Sequence, residues 1–187
     1  LLGGTTVVLH EGRVLQSGPA LDVYYAPATD RVGQVFSDPQ MSLLDVDVLE
    51  GGEARLGEGV AFPLPEHLCS MDAGRYRIGI RANHIRLGRA EASDIRVPAT
   101  ALLEEISGSE TTLHASAGGA SLAAQIEGVH RHTLGSSIDL FLAGARMFAF
   151  SLDGALLRAP PRPTALVATR VPVASTPSAS SSAHGPD

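Results

Sequence analysis

Short apolar segments separated by glycine-rich turns run through most of this sequence, and they limit its fold more than any other feature. Between Leu43 and about Leu157 the segments are rich in residues that favour strands, and turns such as Glu50-Gly51-Gly52 separate them. Many short strands at close spacing are typical of an antiparallel barrel or sandwich, so we predict a mainly β fold. The predicted strands are Leu43–Leu49, Ala54–Leu56, Val60–Phe62, Arg75–Ile80, Ile85–Leu87, Val97–Ile106, Thr111–Ala117, Ser121–Ile126, Ser137–Leu142 and Met147–Phe150.

Residues 1–36 have a different pattern. The β-branched run Thr5–His10 and the segment Arg13–Gly18 flank an x-Gly turn, which predicts a β-hairpin. Pro19 suits the first turn of a following helix, because a residue there needs no N–H donor. A second short helix is predicted over Asp30–Val35, with Asp30 itself as the N-cap.

The chain therefore divides into three predicted parts. Residues 1–36 form the hairpin and the two helices, and residues 37–158 form the β domain. Residues 159–187 are rich in Pro, Ser and Ala and have few large apolar side chains. They cannot bury enough surface to offset their ordering entropy, so we predict a disordered tail.

Composition excludes several classes of function. Charged residues make up 18% of the chain and the net charge is −6, which argues against a nucleic-acid-binding surface. The 14 basic residues are all arginine, so the chain cannot contain the lysine of a phosphate-binding Walker A loop. No apolar run approaches the ~20 residues needed to span a bilayer, and we expect no direct membrane insertion.

The histidines and the single cysteine are the side chains that could form a metal site or a reactive site. His130 and His132 lie two apart with Glu127 nearby, which permits a metal site, but a solvated turn explains them better because no third ligand pattern accompanies them. The single cysteine, Cys69, follows Leu68 in an apolar stretch, which predicts a buried structural thiol in a reducing compartment. We therefore expect no catalytic, cofactor-binding or metal-binding residues in this chain.

The order of hairpin, helix, junction and β domain is informative as a whole. It resembles the end of the ATP-binding subunits of ABC importers of the maltose-importer type, and the resemblance covers residues 1 to about 158. Gly79–Ile85 is similar to the family's G-[IF]-R-P-E-H-[IL] element, and Ile106–Thr111 is similar to a later turn. Other matching positions are Gly12, Arg13, Gln16, Gly18, Tyr24, Pro27, Ala28, Phe36, Pro39, Met41, Leu44, Phe148, Asp153 and Gly154.

The resemblance implies a fold, a parent activity and partners. Residues 1–36 would be the C-terminal remnant of an ABC nucleotide-binding domain, and residues 37–158 an OB-like regulatory (TOBE) barrel. The ATP-contacting motifs would all precede Leu1, so ATP and Mg²⁺ would belong to the full-length parent. That parent would import a carbohydrate, polyol, glycerol or glycerol phosphate, and would be cytoplasmic and peripheral at the plasma membrane. Its partners would be a second copy of itself and the permease subunits.

The same resemblance suggests regulatory, ligand or dimer contacts at Arg81, His84, Gly108 and Glu110. Ala82 and Asn83 replace the family's usual Pro and Glu, which marks a divergent branch. Two alternatives stay open at this point. One is a free-standing OB-like module that binds a small ligand or oxyanion. The other is a standalone hydrolase or metalloenzyme, for which the sequence offers no set of catalytic residues.

Overall fold

The N-terminal hairpin is the first element of the fold. The computed structural model of the protein describes residues 4–57 and 60–163. Strand β1 (Thr5–His10) pairs antiparallel with β2 (Arg13–Pro19). Glu11 and Gly12 connect them with φ of 48° and 74°, the left-handed values that a two-residue type I′ turn requires. The predicted hairpin is therefore confirmed.

Two short helices follow the hairpin, α1 (Ala20–Tyr25) and α2 (Asp30–Val35). The prediction that Asp30 caps α2 is wrong by one residue. Thr29 is the N-cap, because its extended backbone lets its hydroxyl accept from the N–H of Val32 at 3.2 Å. Pro19 likewise ends β2 and precedes α1 instead of forming its first turn.

The rest of the described chain is mainly strand, as predicted. Three single-turn 3-10 helices interrupt the strands, at Glu66–Leu68, Ala82–His84 and Gly144–Arg146. The strands are β3 (Ser42–Leu49), β4 (Glu53–Leu56), β5 (Val60–Pro63), β6 (Gly74–Ile80), β7 (Ile85–Arg86), β8 (Asp94–Ser107), β9 (Glu110–Ala117), β10 (Ala120–Glu127), β11 (Ser137–Ala143), β12 (Phe148–Phe150) and β13 (Leu156–Arg158).

These strands form two antiparallel sheets. One has five strands in the order β10-β9-β8-β11-β7, and its outer strands β10 and β7 contact each other. This contact makes it a nearly closed barrel, so the predicted mainly β, OB-like fold class is confirmed. The other sheet has six strands in the order β13-β12-β6-β3-β4-β5. The strand pattern of the sequence does not distinguish this second sheet from the barrel.

One apolar core fills the space between the two sheets. One face of β3 is buried, and it carries the alternate residues Leu44, Val46 and Val48. Leu113 and Ala115 of β9 belong to the same apolar cluster. Alternation of this kind is expected where each sheet has one face in the core. The strand pattern thus places the core without any contribution from α1 and α2.

A separate small cluster holds the hairpin and helices together. It contains Val8 of β1, Val23 of α1 and Val32 of α2. We name residues 4–36 the N-terminal unit and residues 37–158 the β domain, keeping the predicted boundary between them. That boundary remains a prediction.

The predicted disordered tail lies outside the described residues from position 164 onwards. Its first residues are described, and Arg162 forms an ion pair with Asp22 of α1 at 2.8 Å. No helix within residues 4–57 and 60–163 combines the length and apolar character needed to cross a bilayer.

The prediction of a buried thiol at Cys69 is wrong. Cys69 is exposed, and its Sγ donates to the carbonyl of Glu66 at 2.9 Å. The 3-10 turn Glu66–Leu68 directs Leu68 into the core, and the next residue then faces solvent.

Candidate functional site

Arg81 lies at the contact between the N-terminal unit and the β domain. It directly follows β6, and only 3% of it is exposed. Its Nη2 donates to the Tyr24 carbonyl at 2.7 Å, and its Nη1 donates to the Phe36 carbonyl at 3.4 Å and to Ser37 Oγ. The guanidinium carbon lies 4.0 Å from the centroid of the Tyr24 ring. One side chain of the β domain therefore binds the ends of both helices.

The charge of Arg81 is only partly compensated. Its Nε is buried without a hydrogen-bond partner in the described part of the chain, where no carboxylate forms an ion pair with it either. Burial lowers the pKa of Arg81 below its ordinary value, yet an arginine remains protonated at neutral pH. A buried charge without a counter-charge costs stability, which makes Arg81 a candidate for a functional role.

A cleft of about 170 Å³ lies on one side of Arg81. We name it the junction cleft, because Ser37 and Asp38 of the segment between α2 and β3 line it together with Asn83 and Gln125. Its walls carry hydroxyl, amide and carboxylate groups beside the guanidinium. This mixture of both charge signs favours water or a polar group over a simple anion.

A second cavity of about 140 Å³ also borders Arg81. We name it the arginine pocket. Arg81, His84 and Arg146 are its basic residues, and Tyr24 and Tyr25 line it as well. Phe148, Pro160 and Pro163 complete its walls. None of these residues is acidic, so the pocket is positively charged.

His84 ends the 3-10 turn that follows Arg81 and is half-buried in the arginine pocket. Burial is the main cause that lowers the pKa of His84 from 6.5 to about 4, and the charges of Arg146, Arg86 and Arg81 add to it. The imidazole is therefore neutral at pH 7. A neutral ring can donate one hydrogen bond without adding another charge to the cavity.

The other two predicted contact residues lie elsewhere. Gly108, with φ of 61°, is in the two-residue turn between β8 and β9, where a type II′ turn requires glycine. Glu110 begins β9, and its Oε2 accepts from Gln125 Nε2 at 2.7 Å. Because Gln125 lines the junction cleft, Glu110 is linked to that cleft through one side chain. The structure thus brings Arg81 and His84 together, whereas Gly108 occupies a turn.

His130 and His132 lie in the irregular segment between β10 and β11, and both are partly buried. His130 Nε2 lies 2.8 Å from the Glu127 carbonyl, and His132 Nδ1 contacts a carboxylate oxygen of Glu104. Within residues 4–57 and 60–163, no group of three or more His, Cys, Asp or Glu side chains is placed to hold a metal ion.

Arg146 and Gln125 were not predicted as site residues. Arg146 enters the site because the 3-10 turn after β11 meets the segment after β6, and Gln125 because β10 packs against the turn Ala82–His84. Both residues reach the site only because strands far apart in the sequence pair with each other. No local pattern marks either residue.

Comparison with known proteins places the chain in a family. No protein-family model matches it. The sn-glycerol-3-phosphate import ATP-binding protein of Yersinia enterocolitica is 31% identical over 158 residues, which are 83% of this chain and 44% of that protein. An uncharacterised ABC transporter ATP-binding protein of Sinorhizobium fredii is 34% identical over 115 residues, 60% of this chain and 30% of that protein. The chain is homologous to the C-terminal portion of ABC transporter ATP-binding proteins.

This homology confirms the resemblance that the hairpin and junction motifs indicated. The sequence spans less than half the length of the ABC transporter ATP-binding proteins it matches. A solved structure of the cytoplasmic molybdate-binding protein ModG, with molybdate bound, is also similar to the chain. It is 13% identical, has a TM-score of 0.43, and covers 66% of this chain and 96% of that one.

Proposed function

We propose that this chain is the regulatory and dimerisation segment of the ATP-binding subunit of a bacterial ABC importer. The proposed solute is sn-glycerol 3-phosphate or a related carbohydrate, polyol or glycerol. The observation that carries the proposal is the similarity to an sn-glycerol-3-phosphate import ATP-binding protein over 83% of the chain. The full-length parent would couple ATP hydrolysis to uptake.

ATP and Mg²⁺ would be bound by the ATPase domain of that parent. The present residues do not fit a nucleotide, since all 14 basic residues are arginine and the lysine of a Walker A loop is therefore missing. The permease subunits would also be contacted through the ATPase domain. The parent would be cytoplasmic and peripheral to the inner face of the plasma membrane.

The contacts between the N-terminal unit and the β domain support a coupling role. Arg77 of β6 pairs with Asp30 of α2 at 2.7 Å and with Asp45 of β3 at 2.8 Å, and these two carboxylates raise the pKa of Arg77. Arg81 adds its bonds to both helix ends. A rotation of the N-terminal unit, driven by nucleotide binding in the parent, would therefore move the β domain with it.

An exposed apolar surface supports the proposed pairing with a second copy. Five large apolar side chains at one end of the barrel are 45% to 62% exposed, and they are Leu102, Leu103, Ile106, Val129 and Leu134. The segments that carry them are neighbours, because Gly135 N–H donates to the Ala101 carbonyl at 2.8 Å and His130 N–H donates to Thr111 Oγ1 at 3.0 Å. We name them the barrel-end patch. Clustered exposed apolar residues are typical of protein interfaces.

A chimeric transporter tests the importer role. Residues 1–187 would replace the matching C-terminal portion of the Yersinia enterocolitica sn-glycerol-3-phosphate import ATP-binding protein, in a strain that lacks its own copy. We expect the chimera to restore uptake of labelled sn-glycerol 3-phosphate above that of the same protein truncated at the joining point. Purified chimera with normal ATP hydrolysis but no uptake in cells would contradict the proposal.

Variants of the same chimeric transporter test the proposed regulatory role. Arg81→Ala and His84→Ala would be introduced into the chimera, with Arg55→Gln, an exposed change on β4, as the matched variant. We expect the first two to alter uptake or its ratio to ATP hydrolysis, while Arg55→Gln leaves both unchanged. If transport, regulation and assembly were all untouched by Arg81→Ala and His84→Ala, these residues would have no regulatory role.

A further inference from the structure

The arginine pocket concentrates positive charge at a place where the fold does not neutralise it. Arg81 and Arg146 both line it, and neither forms an ion pair with a carboxylate in the part of the chain that the structure describes. The nearby carboxylate of Asp22 is already paired with Arg162 at 2.8 Å. Two arginines without counter-charges attract an anion from solution.

The lining groups differ in what they can offer such an anion. Arg81 is almost completely buried, so it contributes mainly its positive charge at the base of the cavity. Arg146 and His84 are only partly buried, so their N–H groups can reach a bound molecule. A planar guanidinium matches the spacing of two oxygens of a phosphate or carboxylate group. Arg146 is therefore the residue best placed to form direct hydrogen bonds.

The size of the cavity limits what can bind. Its volume of about 140 Å³ accommodates a phosphate or sulfate ion, which has five non-hydrogen atoms.

We propose that the arginine pocket binds a small tetrahedral oxyanion of the phosphate or sulfate type. Arg146 would bind two of its oxygens, the neutral His84 ring would donate a third hydrogen bond, and the Arg81 charge would hold the ion against the base of the cavity. The bound ion would lie between α1 of the N-terminal unit and the segments after β6 and β11. It would thus stiffen the contact through which the two parts of the chain are coupled.

Binding would also change the proton equilibrium of His84. The charged groups that act on this ring are Arg146 from the 3-10 turn after β11, Arg86 from β7, and Arg81. All three are positive and disfavour the imidazolium. A bound oxyanion would offset their charge, so the pKa of His84 would rise from about 4 toward its ordinary value.

Calorimetric titration of the complete chain with inorganic phosphate, in a phosphate-free buffer at pH 7 and low salt, tests the site. Sulfate, sn-glycerol 3-phosphate and chloride would be titrated in parallel. We expect saturable binding of one phosphate or sulfate per chain, and weaker or no binding of chloride, which has no pair of oxygens for a guanidinium to bind. Arg146→Gln should weaken binding about tenfold or more, because it removes charge-assisted hydrogen bonds. Arg55→Gln, which removes the same charge far from the pocket, should leave affinity unchanged.

NMR titration of the His84 ring protons gives a second readout, since it reports on this cavity alone. In the wild-type chain we expect the pKa of His84 to rise when phosphate is added. In Arg146→Gln we expect the addition of phosphate to leave that pKa unchanged. Equal losses of affinity in Arg146→Gln and Arg55→Gln would overturn the proposal, because they indicate non-specific charge attraction. Binding of sn-glycerol 3-phosphate without binding of phosphate, or no saturable binding at all, would overturn it too.

The meaning of this site for regulation rests on the proposed function, but the binding itself does not. The titration uses this chain alone, so its failure would leave the importer proposal standing. Failure of the chimeric transporter would in turn leave a positive titration valid.

Discussion

His84 lies among three arginines, and these charges together with burial determine when it accepts a proton. The lowered pKa means that the folded chain resists protonation of this ring, whereas the unfolded chain protonates it near pH 6.5. Between these two values the unfolded state binds more protons than the folded state. The contribution of His84 to stability is therefore complete above about pH 6.5 and is lost as the pH falls to about 4.

Replacing His84 with glutamine should remove this part of the pH dependence. A shift from 6.5 to about 4 corresponds to at most ~3.4 kcal/mol, and partial exposure of the ring reduces it to about 2 kcal/mol. We expect the unfolding free energy of wild type to fall by that much more than that of His84→Gln between pH 7 and pH 4. Urea unfolding at several pH values in phosphate-free buffer measures this, with His10→Gln on the exposed hairpin as control. Parallel pH profiles for wild type and His84→Gln would contradict it.

Single residues were predicted well where the local sequence decides their environment. The φ values of Glu11 and Gly12 follow from the x-Gly turn between two strand-forming segments. Cys69 was predicted wrongly because its apolar neighbours indicate burial, while a single 3-10 turn is enough to reverse the direction of the next side chain. Thr29 and Asp30 are both good N-caps, so only the backbone conformation decides between them.

At the level of elements, strand positions could be read from the sequence but their pairing could not. The alternating burial of β3 and β9 follows their alternating apolar residues. Nothing local shows that β6 pairs with both β3 and β12, or that β11 joins β8 to β7. The arginine pocket depends on these pairings, since they bring Arg146 beside Arg81. For this reason the motif residues Arg81 and His84 were found, and Arg146 was missed.

Two glycine-containing turns, one from each sheet, pack against each other. Gly57 follows β4 and Gly118 lies between β9 and β10, and their φ values are 52° and 55°. A Cβ on Gly118 would lie 2.8 Å from the Leu56 carbonyl oxygen, and one on Gly57 would lie 2.4 Å from the Gly118 carbonyl oxygen. The neighbouring Gly119 has φ of 84° and open space around it. The turn is therefore tightly packed on one side only.

Alanine substitution at Gly118 and Gly119 separates backbone strain from this contact. Both changes place a side chain at positive φ, which costs about 1 kcal/mol at each position. Gly118→Ala also forces the two sheets apart, so we expect a total loss of about 2–4 kcal/mol in unfolding free energy, against about 1 kcal/mol for Gly119→Ala. Denaturant unfolding of the two variants measures the difference. Equal losses would show that the contact between the turns contributes nothing.

At the scale of the whole molecule, the two-sheet core and the N-terminal unit have separate apolar clusters joined by polar contacts. The links include the bonds of Arg81 to the ends of both helices and the ion pair of Arg77 with Asp30. Polar contacts of this kind fix orientation without merging the cores. This arrangement is consistent with the proposed role, in which the segment would transmit a rotation as a rigid arm.

The barrel-end patch predicts the oligomeric state of the chain. Ile106→Glu places a charge in the patch and should shift the chain from dimer to monomer, with at least a tenfold weaker dimerisation constant. Leu152→Glu, in the exposed turn before β13, is the matched control and should leave the dimer intact. Sedimentation equilibrium over a range of concentrations measures both. A monomeric wild-type chain, or a dimer that Ile106→Glu does not weaken, would contradict the assignment of this surface.

The place where the chain enters and leaves the β domain has a mechanical consequence. Asp30 N–H donates to the Gly154 carbonyl at 2.9 Å, Leu156 N–H donates to the Ala28 carbonyl at 3.0 Å, and Thr29 and Ala155 form an isolated bridge. A pulling force applied between the N-terminal unit and the end of β13 would act on these few bonds and on the contacts of Arg77 and Arg81, and would bypass the barrel. Under tension the chain would therefore yield first at this short seam, while the folded β domain stayed intact and ready to reattach when the load was released.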